Sequence, residues 1–215
     1  MITCSYKTIE KIGLLSCSIS GDRGKDANYN GKCYPALAPK KGFWKIWHNN
    51  IGKIPEKENN EYYIREFYNQ VLEPLDPEKV VSDLGAYALL CYEDSEEFCH
   101  RHIVAAWLDI LLGYKVEEVK HGEKGIEFVS HPPYIKETLE KVMREKDMHG
   151  FNSLRARYLF EKGDKADAKA SKLEEKNEVS DDACALRQYA AYMRSEADMA
   201  EEEYNQKQAK IKQKK

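Results

Sequence analysis

The sequence predicts an α/β protein: a small three-layer domain on a mostly parallel sheet, followed by an all-helical C-terminal extension. Three observations carry this expectation. The run Ala86-Tyr87-Ala88-Leu89-Leu90-Cys91 is apolar without alternation, as in a strand buried on both faces. Strand, helix and strand then follow one another over residues 86–119, the pattern of a right-handed crossover unit. From Tyr134 onward every periodic segment is helical. The boundary is therefore placed after residue 133, giving domains 1–133 and 134–215.

Taken in order, Met1–Ser5 reads as strand-like or loop, and Gly13–Ser20 as the first core strand. Gly21-Asp22-Arg23-Gly24 ends that strand in a polar loop. Residues 27–57 contain Pro35, Pro39 and Pro55 and read as a long irregular segment, densest at Lys40-Lys41-Gly42-Phe43-Trp44-Lys45-Ile46-Trp47-His48. Asn60 caps a helix to about Leu72, with Tyr63, Phe67 and Val71 on one face. Pro77 opens a second, short helix. The strand Tyr87–Cys91 leads into a helix over about 95–112 with Ile103, Val104, Trp107, Leu108 and Leu111 as its apolar face and Gly113 as its C-cap. Tyr114–Val119 alternates as a strand expected to lie parallel to the previous one. Gly122–Gly125 is a turn, and Ile126–Val129 a short strand. Helices are expected over about 134–146, 150–162 and 181–212, with a charged spacer at 162–179. In the last helix Leu186, Ala190, Met193, Ala197, Ala200 and Tyr204 form a seam of small and mixed residues. Such a seam suits a helix lying on its own domain better than a dimeric coiled coil, and it also admits an oligomer through that helix.

The chain of 215 residues is 42% hydrophobic and carries a net charge of -3, which argues against a generic polyanion binder. Charge is unevenly placed: residues 1–57 hold ten Lys/Arg against four Asp/Glu, and residues 58–98 hold two against eleven. No apolar run is long enough to span a membrane and no signal peptide is recognisable at Met1, so a reducing cytoplasm is expected for the six cysteines.

Chemistry concentrates at one place. Cys91 and Glu93 end the buried strand, and Cys99, His100, Arg101 and His102 open the next helix. Sites of open α/β sheets lie beyond the carboxyl ends of strands, and helix N-termini favour anions. A thiol beside His or Arg at such a terminus is readily deprotonated. Cys99 is thus the candidate nucleophile, Glu93 the candidate base and His100 their partner. Arg101, Arg23, Cys91 and Trp44 are candidates for binding an anionic substrate. No resident cofactor is expected. Zinc on Cys91, Cys99 and His100 or His102 is a minor alternative, because the spacing lacks the tight Cys-x2-Cys of structural sites. The bland alternative makes Cys91 and Cys99 small buried hydrophobes. His121 and His131 fall in turns and suggest no role.

Leu89-Leu90-Cys91-Tyr92-Glu93, an acidic loop, and Phe98-Cys99-His100-Arg101-His102 before an amphipathic helix resemble the signature of the DUF488 family, a domain of unknown function. The resemblance is strongest over Leu89–Trp107 and extends over roughly residues 1–120. It reaches Tyr34–Pro39 and Tyr62–Leu72 upstream and Gly113–Val116 downstream. It implies an α/β domain with a Cys/His/Arg cluster. Family members often carry an Arg in the N-terminal strand, where this chain has Ser16–Ser20 and Arg23 shortly after.

The expected function is an enzyme or ligand-binding domain for a phosphate-bearing or nucleotide-like small molecule. The alternative is a non-catalytic nucleic-acid or protein interaction module built on the Trp/Lys segment and the C-terminal helix, since interleaved Lys and aromatic rings suit nucleic acid. No membrane partner is expected.

Overall fold

A computed structural model describes residues 1–146, 149–175 and 181–213. The chain forms two compact units, Met1–Glu145 and Lys146–Lys215. The first therefore runs past residue 133 and includes the helix placed at the start of the extension.

The first unit is an α/β domain on a six-stranded sheet: β1 (Ile2–Ser5), β2 (Ser16–Ser18), β3 (Lys32–Cys33), β4 (Ala88–Cys91), β5 (Glu117–Gly122) and β6 (Gly125–Val129). The strand order is β3-β2-β4-β1-β5-β6, with β6 antiparallel and all other pairings parallel. The strand-like N-terminus is thus a central strand. It separates β4 from β5, which run parallel to each other as expected but are not neighbours. The order differs because β1, made first, fills the place between them. The first core strand is shorter than expected, since Leu14 and Leu15 are exposed and only Ser16–Ser18 enters the sheet.

Alternation along the strands sends side chains to opposite faces. Cys4, Ala88, Leu90 and Val119 form a core with Tyr6 and Ile9 of α1 (Tyr6–Ile12). Thr3 and Leu89 sit beside each other in register, as do Thr3 and Glu118, on the face packed by α5 (His100–Leu112). Helices therefore cover both faces. They include α2 (Lys41–Asn50), α3 (Glu56–Phe67), α4 (Pro77–Leu84) and α6 (Pro133–Arg144).

Two local differences from the sequence reading matter for the site. The Trp/Lys segment is a helix, α2, because Phe43 and Trp47 lie one turn apart and both pack on Tyr63 of α3. Helix α5 begins at His100, not near Ser95. The acidic residues before it close a turn on themselves, with Asp94 N–H donating to Glu97 Oε2 at 2.7 Å and Glu97 N–H to Asp94 O at 3.1 Å. Cys99 is left as the extended N-cap residue, φ -150° and ψ 147°.

The second unit is an antiparallel hairpin of α7 (Leu154–Glu174) and α8 (Asp181–Lys212). The charged spacer is mostly helix within α7, and its residues 176–179 lie outside the described residues, as do 214 and 215 of the basic end. Ala190, Met193, Ala197 and Ala200 of the seam are buried, the last three in one cluster with Ala156 and Leu159 of α7. Arg194 pairs with Asp164 and Asp167, and Arg187 with Asp167 and Glu174. Among the described residues no helix is long and apolar enough to cross a membrane.

Candidate functional site

The carboxyl ends of β2 and β4 and the start of α5 converge on a cavity of about 640 Å³. Ser20, Gly21 and Asp22 reach it after β2, Cys91 and Glu93 after β4, and Cys99 and His100 from the opening of α5. Trp44 and Trp47 of α2, Tyr63 of α3, and Tyr92 and Phe98 make its aromatic walls.

His100 is the pivot. Its Nε2 lies 3.0 Å from the Ile19 carbonyl, which can only accept, so Nε2 carries a hydrogen. Nδ1 then faces two sulfurs, Cys91 Sγ at 3.7 Å and Cys99 Sγ at 3.8 Å. Burial alone would raise the Cys99 thiol, but Cys91, Arg101 and His100 outweigh it and hold Cys99 well below the usual thiol range. His100 moves the other way: burial disfavours its charge, and the adjacent Cys99 more than restores it. The pair thus favours a thiolate–imidazolium. Cys91 is pushed well up by burial and by Cys99, so it stays a thiol. Glu93 is raised to about 7 by burial and then by Cys99, which places its proton exchange near neutrality.

Arg101 is fully buried and does not line the cavity. Its Nη2 donates to Glu118 Oε1 at 2.9 Å and to the Asp94 carbonyl at 2.9 Å, and its Nε lies 3.2 Å from both Glu118 oxygens. Nη1 is 3.9 Å from Glu93 Oε2, and neither atom has a hydrogen-bond partner among the described residues. Its charge therefore reaches Cys99 and Glu93 through space. Arg23 is exposed, in a left-handed conformation with φ 65°, and is absent from the cavity wall. Trp44 reaches the wall and stacks on His48 with centroids 4.9 Å apart. The structure thus gathers Cys91, Glu93, Cys99, His100 and Trp44 around one space, with Arg101 behind it and Arg23 outside.

Three contributors escaped the sequence reading. Asp22 and Asp26 line the rim. Against the cost of burial, Tyr92 and the backbone N–H groups of Asp26 and Gly24 hold Asp22 at about 2, so it is an anion. Glu118 lay in an alternating strand as if on a solvent face, and only the pairing of β5 with β1 reveals that it points inward. The sulfurs of Cys91 and Cys99 and a nitrogen of His100 also lie within 4.8 Å of one another, a set that soft divalent metals accept.

No curated protein and no solved structure matches the chain. One family model, described as "Active DUF488-N3 subclade", matches residues 8–110, which span every strand-end and helix-start residue of the cavity. With its α/β core and its Cys-His-Arg cluster at the opening of α5, the matched stretch supports membership of the DUF488 family.

Proposed function

We propose that this protein is a thiol-dependent enzyme acting on a nucleotide-like small molecule. The observation that carries the reading is Cys99, placed against His100 Nδ1 at the wall of a cavity with aromatic sides. In this reading the Cys99 thiolate bonds to an electrophilic carbon of the substrate. The leaving group departs with the proton from His100 Nδ1. A second nucleophile, whose proton Glu93 takes, then displaces the thiolate and frees the enzyme. Cys91 donates its hydrogen to the thiolate and steadies it. Trp44, Trp47 and Phe98 offer planar faces for a base-like ring. The part foreseen for Arg101 and Arg23 in holding phosphate passes to Lys41, the Lys of the wall. Arg101 acts instead on the charge of Cys99. The family description "Active DUF488-N3 subclade" is in keeping with a working site.

The test is a titration of the full chain with nucleosides and nucleoside monophosphates, read by tryptophan fluorescence and by protection of Cys99 from iodoacetamide. Quenching together with protection is expected, with Cys99→Ser still quenching but yielding no covalent adduct. A panel that neither quenches nor protects overturns the reading. A salt-dependent shift on single-stranded DNA without any effect of mononucleotides would favour the interaction module instead.

A further inference from the structure

On the far side of Arg101 lies a second cluster that the proposed reaction does not use. His102, Glu118 and His131 each offer a ligand atom, and these atoms lie within 4.8 Å of one another. His131 Nε2 is 2.8 Å from the Val116 carbonyl, which can only accept, so that nitrogen carries the hydrogen and Nδ1 is bare. The bare Nδ1 points at His102 Nδ1, 2.7 Å away. At that distance either His102 carries its hydrogen on Nδ1 and donates it to His131, or a metal ion replaces that hydrogen and takes a lone pair from each ring. Glu118 Oε2 stands 3.9 Å from His102 Nδ1. Thr3 Oγ1 donates to that oxygen at 2.6 Å, while Arg101 Nη2 holds Oε1.

We infer that His102, His131 and Glu118 form a binding site for a first-row divalent cation such as Zn²⁺ or Co²⁺. Two imidazoles and one carboxylate are a common donor set for such ions. The supporting contacts are also those of metal sites: a backbone carbonyl fixes the tautomer of His131, and a hydroxyl orients the carboxylate. A zinc ion with Zn–N of about 2.0–2.1 Å needs the two nitrogens about 3.3 Å apart, so the rings have to separate by about half an ångström. His102 is fully buried and its Nε2 has no partner among the described residues, so no contact on that side fixes its tautomer and Nδ1 can serve as the ligand atom. A second cavity, about 700 Å³, is lined by both histidines, so the cluster borders on open space from the histidine side. Asp109, Glu117, Glu137 and Glu140 outnumber Lys115 and Lys136 on its wall, which favours a cation.

The experiment uses the full chain, stripped with chelator and titrated with Co²⁺ under absorption, then with Zn²⁺ in competition. The expected result is one bound equivalent with ligand-field bands and without the near-ultraviolet charge-transfer band of a thiolate ligand. His131→Gln should weaken binding by about 10-fold or more, and Cys99→Ser should leave it unchanged. Should His102→Gln fail to fold, the wild-type spectrum and the His131 variant still decide. No uptake of either ion overturns the inference. So does wild-type affinity in His131→Gln, or a charge-transfer band lost in Cys99→Ser, which would put the ion on Cys91, Cys99 and His100. Thiol chemistry at Cys99 is measured by alkylation, so failure of this site and failure of the proposed reaction remain separate results.

Discussion

Cys99 and its neighbours divide one proton inventory between them. His100 keeps its hydrogen on Nε2 through Ile19, so Nδ1 is the only ring atom able to share a proton with either sulfur. Alkylation of the wild type should therefore proceed at Cys99 well below the pH at which an ordinary thiol reacts. His100→Gln should move that profile upward, as peptide mass spectrometry across a pH series would show. Glu93 gives a second signature. Its folded value of about 7 lies above the usual 4.5, so the folded state binds its proton more tightly than the unfolded chain. The contribution is full below pH 4.5 and is lost as pH rises towards 7. Glu93→Gln should remove this loss, so its stability relative to wild type should climb over that interval in urea titrations. Arg101 depends on Glu118 in the opposite manner: Glu118→Ala leaves a buried guanidinium without its carboxylate and should cost roughly 3–5 kcal/mol, measurable by the same titrations.

Elements were legible wherever local pattern decides them. The strand ending at Cys91, the short helix opened by Pro77 and the long helix α8 all follow from apolar spacing and capping chemistry, and the structure has each of them. What local pattern could not give is register across the sheet. Thr3 beside Glu118, and Glu118 beneath Arg101, are consequences of a pairing between residues far apart in sequence. For the same reason Arg101 read as an anion clamp, when its partner is in fact internal. Helix α2 was missed because Lys, Gly and Trp carry no capping signal, and its apolar face is completed by Tyr63 of another helix. In the hairpin, Gly163 marks close approach of α7 and α8: a Cβ there would stand 3.0 Å from the Ala190 carbonyl and 3.3 Å from Arg194 Cγ. Gly163→Val gains helix propensity but crowds that contact. A net loss of about 1–3 kcal/mol is expected, read from thermal melts by circular dichroism.

At the scale of the molecule, the basic first quarter and the acidic stretch after it meet only loosely. Lys7 and Asp94 stand 4.0 Å apart at the surface, a contact worth little. Cohesion of the first unit comes instead from the sheet, and the strand at its centre is β1. Both neighbours of β1 come late: Ile2 pairs with Ala88 on one side and with Glu117 on the other. This has a consequence in time. A ribosome delivers the central strand first, then has to make most of the α/β unit before either edge of that strand finds a partner. Such long loops close slowly and late. The nascent chain should therefore generate no folding force until Glu117–Gly122 has left the exit tunnel. Translation-arrest sequences fused at successive lengths would register that moment as a single sharp release, and release at lengths ending before β5 would show that the sheet is seeded earlier.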